Sequence, residues 1–204
     1  MEETLRERKK RQTRQLLIRA AVRLFAEQGY EQTTGAQIAA AADVATKTFF
    51  NYFPSKEDVL FADVERYYGL ALEVIADRAP DDTVPQVLRR TYEQVIAHYL
   101  TQGLQAGDPE LAEVYQRLLA TVPAVRAKAL HVMFGAQRRI ADALLKAFPG
   151  RLDPISAAAA TGAFMGAVQA AALASLEVYG QDEQESLAST GRAVDLAMRG
   201  LESL

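Results

Sequence analysis

Residues 44–60, VATKTFFNYFPSKEDVL, combine a dense group of aromatic side chains with polar residues that a buried segment would not contain. On a helix, Phe49 and Phe53 are four residues apart and share one face, whereas Lys47, Thr48 and Asn51 point in other directions. So short a helix cannot bury all of its sides. The stretch therefore predicts a helix with an apolar inner face and a polar outer face that contacts a partner.

The residues before this stretch complete a helix-turn-helix pattern. Ile38 and Ala42 are spaced to face inward, and Ala39 is small where a second helix must cross closely. Asp43 occupies the tight turn, where φ tends to be positive and Asp is a tolerated substitute for Gly. This spacing predicts two short helices, the second of which carries the polar outer face.

The polar side chains of the second helix suit the edges of DNA bases. Asn suits adenine and Lys suits guanine in the major groove. Thr34 can cap the preceding helix and bond a phosphate, although a plain helix cap explains it equally well. Lys56 can pair with the DNA backbone, or it can be a solvated surface charge. DNA is therefore the predicted partner.

Residues 24–60, LFAEQGYEQTTGAQIAAAADVATKTFFNYFPSKEDVL, resemble the DNA-binding domain of the tetracycline-repressor (TetR) family of bacterial transcription regulators. The rest of the chain resembles the family only in the number and length of its helices. The features that match at the family's spacing are Phe25, Gly29-Tyr30, Thr33-Thr34, Ile38-Ala39, Val44, Thr48-Phe49, Tyr52-Phe53 and Ser55-Lys56-Glu57.

The resemblance implies an all-α homodimer that sets one recognition helix per subunit, residues 45–53, in the major groove of a roughly palindromic operator. It implies an amino-terminal three-helix helix-turn-helix DNA-binding domain over residues 1–54. A larger helical ligand-binding and dimerisation domain follows over residues 55–204. The DNA contacts that the resemblance implies are Thr34, Thr46, Lys47, Thr48, Phe50, Asn51, Tyr52 and Lys56.

Three residues depart from the family's pattern. Phe50 stands where Tyr is common, so the ring keeps its contact but loses a phosphate hydrogen bond worth about 1 kcal/mol. Ala45 stands where Ser is common and forfeits a helix cap of similar size. Asp43 replaces Gly in the turn. These departures leave an alternative open, namely a helical interaction module whose helix-turn-helix no longer binds DNA.

Basic residues are concentrated in the first helix. Residues 1–26 carry eight Lys or Arg against three Glu, a net charge of +5, whereas residues 61–204 carry 13 basic and 18 acidic residues, a net charge of −5. A solvated helix start explains such a run by itself. Beside a DNA-reading motif, the side chains from Arg6 to Arg14 are expected to attract phosphates whatever the sequence.

Helical periodicity continues through the chain, and strand signals are nearly absent. Gly29 is placed as the stop of the first helix. Residues 80–85 break the chain, and linkers are predicted at 103–109, 122–123 and 149–154. About nine helices are predicted, near residues 5–28, 35–42, 46–53, 55–78, 84–103, 109–120, 122–148, 153–179 and 182–203.

The helix predicted at 153–179 is rich in Ala and Gly, which allow another helix to approach closely. With the last helix it is expected to form half of a four-helix homodimer interface over residues 153–203, and packing within one chain is the alternative. Residues 155–176 carry no charge. Their many small residues give a weak membrane-transfer energy, so no membrane span is expected.

Aromatic residues with sparse polar groups on the later helices predict a pocket for a small effector. Such a mixture suits a ligand pocket, and it also occurs in an ordinary helical core. Because most side chains on these helices are apolar and few are charged, they favour a hydrophobic or aromatic ligand. The candidate residues are Tyr92, Tyr99, His131, Phe134, Phe164 and Gln169.

The sequence carries no signature of catalysis. The absence of cysteine excludes disulfides and thiolate metal sites. There is no Gly-rich phosphate loop, no His-Glu-x-x-His and no nucleophile elbow. The first residues lack the apolar segment of a signal peptide. We therefore expect a cytoplasmic, ligand-responsive repressor of transcription, with operator DNA and a small effector as partners, and no enzyme activity, cofactor or metal.

Overall fold

The computed structural model describes residues 4–102, 109–180 and 182–202, and these residues are helical without strands. The prediction of an all-α chain is confirmed. The α-helices within the described residues are α1 (Leu5–Glu27), α2 (Gly35–Ala41), α3 (Thr46–Tyr52), α4 (Val64–Ala76), α5 (Val84–Gln102), α6 (Pro109–Thr121), α7 (Pro123–Ala147), α8 (Pro154–Tyr179) and α9 (Glu183–Arg199).

One predicted helix is interrupted. The sequence pattern predicts a continuous helix over residues 55–78, but a 3₁₀ turn at Glu57–Val59 comes first and α4 begins only at Val64. The backbone N and Oγ of Ser55 donate to Asp58 Oδ2 at 2.9 and 2.7 Å. This side-chain cap closes a tight local turn, which competes with a regular α-helix.

By compactness the chain forms two units. The first holds the described residues among 1–64 and 107–131, and the second holds those among 65–106 and 132–204. The predicted boundary between residues 54 and 55 divides the chain by function, and it stays a prediction. The linker predicted at 103–109 falls largely on residues 103–108, outside the described residues, as does the predicted helix end at 203.

Backbone conformation fixes the short helices of the first unit. Gly29 ends α1 with φ at +85°, as predicted for a helix stop. Asp43 has φ at +54° in the turn between α2 and α3, which confirms the predicted positive φ. The amide of Val44 donates to Ala39 O at 3.0 Å across that turn. The turn therefore sets the direction in which α3 leaves α2.

The core of the second unit is drawn from five helices. Ile75 of α4, Leu88 of α5, Leu144 of α7, Phe164 of α8 and Met198 of α9 belong to one buried cluster. Helices α8 and α9 make the most extensive helix–helix contact among the described residues. By length and composition α8 could also cross a membrane. One such helix is weak evidence for a span, and a buried stripe of α8 is part of this core.

Candidate functional site

Helix α3 presents a continuous outward face. Thr46, Lys47 and Asn51 are exposed, and Phe50 is 52% exposed. Positions 46 and 50 form one i, i+4 pair, and positions 47 and 51 form a second pair beside it. The face carries a hydroxyl, an ammonium group, an aromatic ring and an amide. This set of groups can contact base edges and phosphates.

Thr48 and Tyr52 lie at the edge of this face. Both residues are half-buried, and the Tyr52 ring lies 6.5 Å from that of Phe53. The sequence pattern predicts that Thr48 points outward. The structure places it at the boundary instead, because it lies one turn before Tyr52 on the same half-buried side of α3. Access to DNA is therefore smaller for these two residues than for the exposed four.

Two buried phenylalanines hold α3 against the rest of the first unit. Phe49 is fully buried, Phe53 is 2% exposed, and their ring centroids are 5.9 Å apart. Gly35 makes the close approach of α2 and α3 possible. A Cβ atom at Gly35 would lie 2.9 Å from the Phe49 ring and 3.0 Å from the Phe50 ring. The apolar side of α3 therefore fixes the direction of its polar side.

Gly35 was not singled out by the sequence pattern, although a usable signal exists. Glycine in the first turn of a helix costs stability relative to alanine, so its presence there indicates that something else requires it. The requirement is the space that the rings of Phe49 and Phe50 occupy.

Thr34 caps α2, as predicted. Its Oγ1 accepts from the Gln37 amide at 3.2 Å, and Gln37 Oε1 accepts from the Thr34 amide at 2.7 Å. Together these bonds form a capping box at the start of the helix. Thr34 remains exposed. Its contact with a DNA phosphate stays a prediction.

Ala45 begins α3 without a side-chain cap. The prediction that Ala45, in place of Ser, supplies no helix cap is therefore confirmed. Helix α3 depends on its buried rings for stability, because its first turn has no side-chain oxygen to accept from the free amides.

Lys56 has a structural role that the sequence pattern did not identify. Its Nζ donates to the carbonyls of Tyr30 and Thr33 at 2.7 and 3.1 Å, and it lies 3.9 Å from the centroid of the Tyr30 ring. The side chain is half-buried, so a fully solvated charge is not what the structure shows. The ammonium group ties the residues before α2 to the segment after α3. A third N–H remains for the predicted phosphate contact.

Tyr30 and Glu57 strengthen the same connection. Tyr30 OH donates to Glu57 Oε1. Burial would raise the pKa of Glu57, but hydrogen bonds from Ser55 and Tyr30 outweigh it, and the pKa is lowered. Burial, then the bond to Glu57, raises the pKa of Tyr30. Both shifts favour a neutral phenol that donates to an ionised carboxylate.

Arg14 has a structural role in addition to its predicted attraction for phosphates, which stays a prediction. Its guanidinium donates to Ala62 O, approaches Asp63 at 3.9 Å and lies 5.4 Å from the centroid of the Phe53 ring. Arg14 therefore joins α1 to the segment after the 3₁₀ turn. The basic residues that precede it, from Arg6 to Arg11, are exposed. Their attraction for phosphates stays a prediction.

A salt bridge joins α7 to the segment that follows the recognition helix. Lys128 Nζ lies 2.5 Å from Asp58 Oδ1, and the two side chains are 30% and 19% exposed. Burial would raise the pKa of Asp58, but the hydrogen bonds from Lys128 and Ser55 lower it overall. Asp58 therefore serves as both the cap of the 3₁₀ turn and the partner of α7. Sequence spacing gave no signal for this long-range pair.

Four of the predicted ligand-binding residues are either core or surface. Phe164 belongs to the buried cluster of the second unit. His131, Phe134 and Gln169 are exposed, Phe134 to 63%. For Phe164 the core interpretation is therefore sufficient. A contribution of the other three to ligand binding stays a prediction.

Tyr92 and Tyr99, the other two candidates, lie on α5 and are half-buried. Tyr92 OH donates to Leu187 O at 3.4 Å, and burial raises the pKa of this phenol. The Tyr99 ring lies 6.2 Å from that of Tyr67 on α4. These two tyrosines therefore differ in surroundings, one against α9 and the other against α4.

Comparison with known proteins supports the geometry of the first unit. Residues 17–62 match the model of the family described as bacterial regulatory proteins, tetR family. The matched range contains the helix-turn-helix, the outward face of α3 and the 3₁₀ turn. Residues 17–62 therefore carry a DNA-binding domain of the tetR family. The resemblance predicted from residues 24–60 is thus confirmed.

A curated relative matches beyond this domain. The HTH-type transcriptional regulator TcmR of Streptomyces glaucescens is 35% identical over 126 residues, which cover 62% of this chain and 56% of the relative. The chain spans about half the length of the curated relatives it matches, with 49% and 38% of two others covered.

Solved structures extend the likeness over nearly the whole chain. FadR of Bacillus subtilis, solved with stearoyl-CoA, is 25% identical with a TM-score of 0.58, and the match covers 91% of this chain and 97% of that one. FadR of Thermus thermophilus, a TetR-family repressor solved with lauroyl-CoA, is 25% identical with a TM-score of 0.55, covering 92% and 94%. The likeness to the two FadR structures therefore includes the helices of the second unit as well as those of the first.

Proposed function

We propose that the protein is a sequence-specific DNA-binding regulator of transcription, and that it represses until a small effector releases it from a palindromic operator. The outward face of α3 carries this proposal. Thr46, Lys47, Phe50 and Asn51 share that face, and the buried rings behind it hold it in place. The match of residues 17–62 to the tetR family supports the same function.

Charge supports DNA as the partner. The exposed basic residues of α1 lie in the same unit as α3. Phosphate contacts of this kind supply affinity without sequence preference, whereas the groups on α3 supply the preference. Lys47 suits a guanine and Asn51 suits an adenine. The cytoplasm is the compartment in which such a regulator meets its operator.

Selection from random double-stranded DNA tests the proposal. The protein should enrich a roughly palindromic sequence, and Asn51→Ala should relax the preference at one position per half-site, at a cost of about 1–3 kcal/mol. Lys146→Ala, at an exposed position of α7 in the second unit, is the matched control and should leave binding unchanged. Recovery of unenriched DNA would favour the alternative of an interaction module without DNA binding.

Measuring the affinity for the selected DNA at several salt concentrations separates phosphate contacts from base contacts. Affinity should fall steeply between low and moderate salt, because basic side chains release counterions from the phosphates. Arg8→Gln should reduce the slope and leave the sequence preference unchanged. A salt-independent affinity would exclude the proposed role of the first helix.

A homodimer is the proposed assembly, because one chain reads one half of a palindrome. Helices α8 and α9 expose Ile155, Leu173, Val178 and Leu196 to between 56% and 79%. Such apolar exposure is costly unless another surface covers it. Light scattering should give twice the chain mass, and Leu173→Glu should lower it toward one chain. A monomeric mass for the unaltered protein at micromolar concentration would contradict the dimer.

Effector binding is proposed to occur in the second unit. The two FadR proteins were solved with long-chain acyl-CoA. Proteins of similar fold therefore bind ligands with a long apolar chain. If the effector lowers operator affinity, linkage requires the operator to lower effector affinity by the same factor. Equal effector affinity for free and DNA-bound protein would therefore contradict this mechanism.

A further inference from the structure

His98 on α5 has a ring nitrogen without a hydrogen-bond partner. Its Nε2 is buried from solvent and contacts no donor or acceptor among the described residues, although the residue as a whole is half-buried. Leaving a polar atom unsatisfied in this way costs stability. A binding role explains why such an atom is present, because a ligand can supply the missing bond.

One aromatic ring contacts the ring of His98, and a second lies beside the first. The Tyr67 ring lies 6.0 Å from the His98 ring at an interplanar angle of 79°, and 6.2 Å from the Tyr99 ring. Tyr67 and Tyr99 are themselves half-buried. The cluster formed by Tyr67, His98 and Tyr99 therefore offers flat apolar faces next to a hydrogen-bonding atom. A planar aromatic ligand is the class that matches both properties.

A cleft of about 210 Å³ lies on the same pair of helices. Helices α4 and α5 run antiparallel, since Tyr67 contacts His98 whereas Val74 and Arg90 share the cleft. Gln94 lies one turn before His98 on α5, so the cleft and the aromatic cluster follow one another along the same seam. The residues that line the cleft are Leu70, Glu73, Val74, Asp77, Arg90 and Gln94.

The charges of the cleft restrict the ligand further. Glu73 and Asp77 are exposed carboxylates, whereas the Arg90 guanidinium is bound to Asp82 at 2.7 Å. Carboxylates accept hydrogen bonds from hydroxyl groups and repel anions. The cleft therefore favours a neutral ligand with hydroxyl groups over a carboxylate or a phosphate.

We propose that the seam between α4 and α5 binds a neutral, hydroxylated aromatic compound, with a hydroxyl on His98 Nε2 and the ring against Tyr67 and Tyr99. Because the nitrogen is buried, binding requires a neighbouring side chain to move aside. The inference rests on the proposed ligand-responsive function and names the class of its effector. It differs from the acyl-CoA precedent, whose phosphates the two cleft carboxylates would repel.

Three probes that share the naphthalene ring system test the proposal in the absence of DNA. 2-Naphthol is a neutral aromatic alcohol at pH 7, naphthalene lacks the hydroxyl, and 2-naphthoate carries a negative charge. Titrations followed by fluorescence should show 2-naphthol binding about tenfold more tightly than either analogue, because only it satisfies the buried nitrogen without repulsion. Tighter binding of 2-naphthoate, equal binding of all three probes, or no binding of 2-naphthol would overturn the proposal.

Variants then locate the binding. His98→Phe keeps an aromatic ring and removes the nitrogen, so the preference for 2-naphthol over naphthalene should disappear. Lys146→Ala, at an exposed position of α7 outside every predicted site, is the control and should keep it. Glu73→Lys, at an exposed position, should remove the discrimination against 2-naphthoate. An unchanged preference in His98→Phe would show that the hydroxyl binds elsewhere.

Imidazole nitrogen resonances give a test that does not depend on the folding of a His98 variant. The chain has two histidines, so the spectrum of the His131→Phe protein assigns the resonances of His98 in the unaltered protein. Addition of 2-naphthol to the unaltered protein should shift His98 Nε2, and naphthalene should shift it less. A constant resonance at saturating 2-naphthol would overturn the site even if DNA selection succeeds, so the two proposals fail separately.

Discussion

The two units of the molecule hold their helices in different ways. In the first unit, caps, a positive-φ turn and a glycine contact fix short helices over a few neighbouring residues. In the second unit, long helices far apart in sequence meet in one apolar cluster. Short-range devices fix the direction of individual side chains, whereas the apolar cluster depends on how helices distant in sequence pack together. This contrast suits a fixed reading surface in the first unit, whereas the effector site proposed for the second unit depends on long-range packing.

The largest expected effect tests how α3 is held. Phe49→Ala removes a fully buried ring and should cost about 3–5 kcal/mol of the free energy of unfolding of the first unit, with loss of DNA binding. Phe50→Ala, at the neighbouring and 52% exposed ring, is the control and should cost far less. Urea unfolding followed by circular dichroism measures both. Similar costs for the two variants would mean that the outward face is not distinct from the core.

The next effect concerns the salt bridge between Asp58 and Lys128. Lys128→Met should cost about 1–2 kcal/mol near neutral pH, because a charged hydrogen bond is lost at a partly buried site. The pKa of Asp58 is lowered in the folded protein, so the contribution is fully present above its ordinary value of 3.8. It is lost as the pH falls through the lower folded-state pKa.

Unfolding measured from neutral to acidic pH should therefore show the difference between Lys128→Met and the unaltered protein shrinking below about pH 4. Arg23→Gln removes the exposed pair with Glu27, in which the atoms are 3.9 Å apart, and should change stability by much less. A difference that persists at the acidic end would assign the effect of Lys128 to packing of its alkyl chain.

Two matched capping boxes compare the units directly. Thr34 caps α2 in the first unit, and Thr83 exchanges equivalent bonds with Gln86 at the start of α5 in the second. Thr34→Ala and Thr83→Ala should each cost about 1 kcal/mol of stability. Operator affinity should fall further in Thr34→Ala alone, because only that hydroxyl is proposed to meet a phosphate. If gel shifts gave the two variants equal operator affinities, Thr34 would serve only as a helix cap.

The smallest expected effect concerns Phe50. Phe50→Tyr should tighten DNA binding a few-fold across sequences, since a new hydroxyl can donate to a phosphate for about 1 kcal/mol. Filter binding to the selected operator and to a scrambled duplex measures the change. Weaker binding to both would place the ring away from the DNA backbone.

Much of the first unit could be predicted from the sequence because its determinants are local. The cap at Thr34, the stop at Gly29 and the turn at Asp43 each depend on residues within a few positions. The interruption after α3 was missed because the cap from Ser55 to Asp58 resembles an ordinary helix start in sequence. The roles of Lys56 and Arg14 were missed because their partners lie in other segments of the chain.

The ligand candidates show the opposite case. Aromatic residues on a long helix have the same spacing whether they line a pocket or fill a core, and Phe164 proved to be core. The unsatisfied nitrogen of His98 becomes visible only when its neighbours are placed. Periodicity gives the side of a helix on which a residue lies but not what faces it.

The sequence by itself determined the all-α class, the helix-turn-helix and the resemblance to the DNA-binding domain of the tetR family, because each follows from the order of residues along the chain. Only the tertiary structure decided which charged groups are structural. Lys56, Arg14 and Lys128 make bonds to partners that are distant in the chain. Such bonds depend on how the helices pack, since an ion pair or a buried carbonyl acts across space and leaves no fixed interval in the sequence.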